Sequence, residues 1–122
     1  MEIKTIAEKI EITRQYLEIP WKTRKWLRNK LTHYTHRDKT QGLTICNIEL
    51  TELYKIFSEN DCIYCGEVEL HKKTLDKIDN TKGHIKGNIV VACIRCNTER
   101  GDRVSMERFL VFNKMLDYYN KI

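Results

Sequence analysis

Four of the five cysteines in this chain fall into two pairs of identical spacing, Cys62/Cys65 and Cys93/Cys96. Each Cys-x-x-Cys turn presents two thiolates from one knuckle. Two such knuckles close a tetrahedral four-sulfur site of the kind that suits Zn2+. Such a site has no open coordination position, so its role is structural: it staples two distant turns of the chain. A redox dithiol would account for one pair and leave the second unexplained. Cys46 stands alone after an apolar stretch and reads as an ordinary buried thiol.

Further polar groups lie between and beyond the knuckles in a fixed order. Leu75-Asp76-Lys77-Ile78-Asp79-Asn80 follows the first pair. The second pair is embedded in Asn88-Ile89-Val90-Val91-Ala92-Cys93-Ile94-Arg95-Cys96-Asn97, with Arg103 and Phe109 beyond it. The helical segment Leu50-Thr51-Glu52-Leu53-Tyr54 precedes the first knuckle. This order resembles that of HNH endonucleases, specifically the phage-type group with zinc knuckles, over about residues 44–115. Residues 1–40 lie outside the likeness.

The resemblance implies an α+β fold, mostly helical. Its core is a ββα-metal hairpin and helix stapled by the four-cysteine zinc site. It implies a nuclease domain over 44–122, with 1–43 as an added N-terminal helical and basic arm. It also implies hydrolysis of phosphodiester bonds in DNA, as an endonuclease or nickase. By motif position, Asp76 at the end of the first strand and Asn97 on the helix would hold one catalytic divalent ion. Oxygen ligands of this kind suit Mg2+, or Mn2+ in its place. Asn88 would tie the hairpin loop by side-chain hydrogen bonds rather than touch the metal.

One position departs from the family pattern. Where many members carry a histidine general base, this chain has Lys77. A lysine of ordinary pKa is protonated at neutral pH and is a poor base, though it can bind phosphate as a point charge. The remaining candidates for activating water are Asp79, His84 and His71, or metal coordination alone. The departure also leaves open a degenerate fold that binds DNA, or acts as a regulatory or protein-interaction module, without cutting.

The elements that must position these groups can be read from periodicity and punctuation. Ile3, Ile6, Ala7, Ile10 and Leu17 recur at helical spacing over 2–19, and Pro20 ends that segment. Residues 21–39 interleave aromatics with seven bases, Lys22, Arg24, Lys25, Arg28, Lys30, Arg37 and Lys39, against one acid, Asp38. That segment reads as a helix with a basic face suited to phosphates. A third helix is expected over 47–57. Short strands are expected over 75–78 and 88–92, with the Lys82-Gly83 and Lys86-Gly87 steps in the loop between them. A helix is expected from Asn97 onward, with Ser105 as an N-cap further along.

Composition sets the outer bounds. The 122 residues make one domain's worth of chain, 41% hydrophobic and 32% charged, with a formal net charge of +5. The balance excludes a disordered or fibrous chain, and no apolar run approaches the ~18 residues of a membrane span. The chain reads as cytoplasmic, and a phage-encoded protein acting in an infected host cell fits the likeness. The positive balance invites a polyanion, with DNA as the expected partner. Lys22, Arg24, Lys25, Arg28, Arg95, Arg100 and Arg103 are the expected contacts. The N-terminal helix leaves monomer and homodimer both open.

Overall fold

A β-hairpin of two five-residue strands contributes to both clusters of buried apolar side chains in the molecule. The computed structural model describes residues 4–101 and 104–121, the side chains of Leu116 and Asp117 excepted. In chain order it contains α1 (Ile6–Glu18), α2 (Trp21–Thr40), α3 (Leu50–Glu59), a 3-10 turn (Leu70–Lys72), β1 (Lys73–Lys77), β2 (Ile89–Cys93), α4 (Ile94–Arg100) and α5 (Met106–Asn120). The strands pair antiparallel, with Lys73 opposite Cys93, Leu75 opposite Val91 and Lys77 opposite Ile89.

The helices begin where local chemistry allows. Thr5 caps α1, its hydroxyl accepting the Glu8 N–H at 3.1 Å. Pro20 stands at the N-cap of α2, where its missing N–H costs nothing. Glu49 and Glu52 form a reciprocal capping box that starts α3 later than the expected residue 47. The largest shift is at the second knuckle. The expected helix from Asn97 is two helices, and the first opens three residues earlier. Cys93 is its N-cap, with Sγ accepting the Cys96 N–H at 3.3 Å. Gly101 ends it with φ +54°, and Ser105 restarts the chain as α5 by accepting the Arg108 N–H.

Four consecutive residues of β1, Lys73 to Asp76, are buried, so the strand does not alternate between core and solvent. Apolar side chains cover it from two directions. Leu27 and Tyr34 of α2, Leu53 and Phe57 of α3, Ile19 and Ile48 form one cluster with Leu75 and Val91. Tyr64 and Phe109 gather with Ala92, Cys62, Cys93 and Cys96 in the other. Lys73 is buried among them because its ammonium donates to the Phe57 carbonyl at 2.7 Å and pairs with Asp61 at 3.3 Å. Cys46 is half-buried against the first cluster.

The first cluster draws on both sides of residue 43, so the expected arm and nuclease domain share one core. Polar contacts reinforce the join. The buried Tyr34 hydroxyl lies 2.8 Å from Thr74 Oγ1 and accepts the Leu75 N–H at 3.0 Å, fixing α2 to β1. By contrast α1 buries none of its residues. Ile6, Ile10 and Leu17 face solvent, and the helix is held where Ile19 enters the core and Lys4 pairs with Glu49.

The hairpin loop is tied just as closely. Asn88 Oδ1 accepts the Asp79 N–H at 2.8 Å, while its Nδ2 donates to the carbonyls of Asp79 and Gly83. Gly83 is squeezed between this loop and α2. A Cβ there would lie 1.7 Å from the Thr44 carbonyl oxygen and 2.7 Å from the Asp38 carboxylate. Gly87 has φ +87° but open space around it. Gly83→Ala should therefore destabilise the fold by about 3 kcal/mol or more, through overpacking against backbone. Gly87→Ala should cost only about 1–2 kcal/mol for its left-handed backbone. Urea denaturation of both variants checks this, and equal midpoints would contradict it.

Candidate functional site

The cysteine cluster follows directly from the hairpin. Cys62 and Cys65 sit in the turn before β1, Cys93 ends β2, and Cys96 lies one turn into α4. The Ile63 N–H donates to the Val91 carbonyl at 2.9 Å, which brings the first knuckle to the second strand. The four Sγ atoms all lie within 4.8 Å of one another, and Cys65 and Cys93 are 3.6 Å apart. Tetrahedral zinc with bonds of about 2.3 Å sets its sulfurs about 3.8 Å apart, so the cluster has the dimensions of a metal site and not of disulfides. Burial pushes the Cys62 thiol up, but backbone N–H groups at Cys65, Cys93 and Tyr64 outweigh it and draw the group down to about 7. Cys96 is driven upward, by burial first and then by its sulfur neighbours. Thiolates this close repel one another, and a divalent cation removes the repulsion. The four residues can therefore hold a structural metal such as zinc.

A cleft of about 470 Å³ opens between α2 and the hairpin-helix unit. Lys30, His33, Tyr34, Arg37 and Gln41 line it from α2 and its C-cap, and Thr74 to Lys77 from β1. Asn80 and His84 line it from the loop, and Asn97, Thr98 and Arg100 from α4. Four of the residues expected to do chemistry, Asp76, Lys77, His84 and Asn97, thus meet in one place, although they come from three different elements.

Two other candidate bases do not line this cleft. Asp79 closes a turn, its Oδ1 accepting the backbone N–H of Thr81 at 2.9 Å and its hydroxyl at 2.6 Å, and Thr81 holds its carboxyl below the usual range. His71 packs edge-on against Trp26, ring centroids 4.9 Å apart. Lys77 does line the cleft, with its ammonium 3.5 Å from Gln41 Oε1.

Asp76 is not an open carboxylate. Arg100 Nη2 donates to Oδ1 at 2.6 Å and Nε to Oδ2 at 2.9 Å, and the Tyr64 hydroxyl donates to Oδ2 as well. The Asp76 and Arg100 side chains are each only 4% exposed. This bidentate pair already neutralises the carboxylate. A magnesium or manganese ion at Asp76 and Asn97 would have to displace a buried guanidinium, so the arrangement does not fit the metal-ligand role that motif position suggests for Asp76.

The bases expected to contact DNA do not share one surface. Arg100 is not on the surface, because it is consumed by Asp76 and also donates to the Val104 and Lys77 carbonyls. Arg24 and Arg28 turn toward α1. The first lies over the Tyr16 ring at 4.9 Å and the second donates to its hydroxyl at 2.9 Å. Lys22 lies 5.7 Å over Trp21, and Lys25 is exposed. None of these four lines the cleft. The bases of α2 that do are Lys30 and Arg37, which share the face of Tyr34 at helical spacing. Arg95 is exposed beside Cys96, and Arg103 lies outside the described residues.

Sequence reasoning missed Asp38. This residue of α2 is wholly buried and accepts twice from His84, from the backbone N–H at Oδ2 and from ring Nδ1 at Oδ1, both at 2.8 Å. His84 is itself buried and stacks on Tyr34, with centroids 4.5 Å apart and planes 25° apart. Burial lowers the His84 pKa; Asp38 opposes that, while Lys77 and Arg37 add to it. Burial also pushes Tyr34 up to about 12, so its hydroxyl stays protonated. The one signal for Asp38 was its standing as the lone acid among seven bases over 21–39.

No family model matches the chain, and no solved structure matches it. It is similar to an "Uncharacterized 29.0 kDa protein in dda-modA intergenic region" of Enterobacteria phage T4, 33% identical over 61 residues. The aligned part is 46% of this chain and 25% of that protein, so the chain matches only about a quarter of its phage relative. No described helix is long and apolar enough to cross a membrane.

The Asp76–Arg100 pair makes a direct prediction. Removing one partner of a buried ion pair strands the other charge, at a cost of about 3–5 kcal/mol. Asp76→Ala should lose that much stability in chemical denaturation, whereas Asn97→Ala, whose side chain is only half-buried, should lose less than about 1 kcal/mol. Equal stability of Asp76→Ala and wild type would show that the pair does not hold α4 to β1.

Proposed function

We propose that this chain is an HNH-type nuclease domain that seats the DNA backbone in the cleft beside α2 and hydrolyses a phosphodiester bond there. The observation that carries the reading is the meeting of Lys77, His84 and Asn97 with Lys30 and Arg37 around one cavity whose single acid, Asp76, is already neutralised. A site with several cations and no free carboxylate is shaped for a phosphate. The hairpin followed at once by a helix, and the order of motifs along the chain, supply the likeness to HNH enzymes. The relative in a phage agrees with a phage setting. A second reading, a fold of this type that binds DNA without cutting it, is favoured by one feature: the closed Asp76–Arg100 pair, which takes up the carboxylate that a catalytic metal would use.

In this reading the cysteine cluster holds Zn2+, which fixes Cys96 and with it the neighbouring Asn97. Protein purified without chelator should contain one zinc per chain. Its removal should unfold the region around the hairpin, since structural zinc contributes on the order of 10 kcal/mol. Elemental analysis and melting in chelator measure both.

Two experiments test the proposal. Binding to duplex DNA should weaken with salt, the slope set by about 0.9 per phosphate neutralised. Lys30→Ala and Arg37→Ala should each reduce that slope by about 1, while Arg28→Ala, turned toward Tyr16, should leave it unchanged. Incubation with supercoiled plasmid in Mg2+, Mn2+ or EDTA should yield nicked or linear product in at least one condition. Salt-dependent binding with no product in any of them would favour the binding reading, and no binding at low salt would remove both.

A further inference from the structure

We propose that Asp38 is the positioning residue for a general base, His84, that activates water in this cleft; the proposal rests on the hydrolytic reading above and supplies the base that Lys77 cannot provide. A carboxylate accepts and does not donate, so the hydrogen in the Nδ1–Asp38 contact belongs to the imidazole. That leaves Nε2 as the bare, proton-accepting nitrogen. Nε2 has no partner among the described residues and is not sealed from solvent, and the ring lines the cleft. Three restraints hold the ring in place: the carboxylate at its edge, Tyr34 stacked on its face, and its own backbone N–H bonded to the other Asp38 oxygen. Gly83, next in chain, admits no Cβ because the Thr44 carbonyl and then the Asp38 carboxylate lie against it. The carboxylate is wholly buried, so water does not compete for it. An imidazole oriented in one tautomer by a buried carboxylate is the arrangement that general-base catalysis requires.

Nε2 takes a proton from a water molecule, and the water oxygen forms a bond to phosphorus. The P–O ester bond breaks with its electron pair on the leaving alkoxide, which takes a proton from solvent. The imidazolium then returns its proton to solvent. The products are a phosphomonoester and an alcohol. Lys77 and Arg37 offset the charge gathered on the phosphate.

The charged and titratable groups facing His84 are Asp38, Arg37 and Tyr34 from α2 and Lys77 from β1. A base acts in its deprotonated form. With its pKa below the ordinary histidine range, His84 is ready at neutral pH, and activity is lost only as pH falls through that lowered value.

The test combines plasmid nicking with nitrogen-15 NMR of the His84 ring. In wild type the ring should be the Nδ1–H tautomer above its pKa, and the nicking rate should rise with pH and level off on the acid side of neutrality. Asp38→Asn keeps the shape but has one acceptor oxygen in place of two; with that oxygen on the His84 backbone N–H, its amide N–H faces Nδ1, so the tautomer should invert. Nicking should then fall about 100-fold or more, with zinc content and melting unchanged. His84→Ala should fall as far, and the double variant no further. Should Asp38→Asn fail to fold, the two wild-type measurements still decide, because they need no variant. An Nε2–H tautomer in wild type, or a rate that keeps climbing to the pH range of lysine, overturns the proposal. Nicking by wild type that survives in folded Asp38→Asn overturns the pair and leaves the hydrolytic reading standing. Absence of nicking by wild type in every condition overturns both.

Discussion

A two-stranded hairpin of five-residue strands is marginal in water, and in this protein it forms one wall of the cleft, from Thr74 to Lys77. The constraint explains why so little of β1 is left to solvent. One side is closed by α2 and α3 with Leu27, Tyr34, Leu53 and Phe57, the other by Tyr64, Phe109 and the sulfur cluster. With both sides covered, the strand can also bury polar groups, provided each finds a partner. Lys73 finds the Phe57 carbonyl, Thr74 the Tyr34 hydroxyl, and Asp76 the Arg100 guanidinium. Each of these bonds ties the hairpin to a different element, so polar satisfaction and assembly are the same event.

The two clusters divide the labour. The cysteines gather turn, strand end and helix start in one cluster, and the Asp76–Arg100 pair holds α4 to the hairpin. The Tyr34 and Asp38 contacts join α2 to strand and loop. The cleft lies between the two joins, and its walls therefore come from elements that are each pinned to the same strand pair.

Much of this was legible in the sequence because it is local. The Cys-x-x-Cys spacing announced the cluster, the Asn88 motif announced a tied loop, and Ser105 announced a cap. What escaped was non-local. Asp38 and His84 are separated by most of the motif region, and no periodicity connects an acid on one helix with a histidine in a later loop. Arg100 looked like one more surface base, because counting charges cannot tell a solvated guanidinium from one drawn inward by a strand carboxylate. On α2, seven bases gave no hint of which face they occupy. Only the inward turn of Tyr34 and Leu27 selects Lys30 and Arg37 for the cleft and sends Arg24 and Arg28 toward Tyr16. The start of α4 at Ile94 was hidden because a cysteine sulfur, not one of the usual capping side chains, receives the Cys96 N–H.

The seating of α2 bears on modularity. The segment whose motifs are recognisable by eye begins near residue 44, and a minimal domain would naturally be cut there. Such a fragment would keep every cysteine and every motif residue, yet it would lose one wall of the cavity, the aromatic face beneath His84 and the carboxylate at its edge. Leu75 and Val91 would lie open where Leu27 and Tyr34 now cover them. The unit that can be transplanted, shuffled or fused is thus larger than the unit that can be recognised, and swapping α2 would change the character of the cleft without altering a single motif residue.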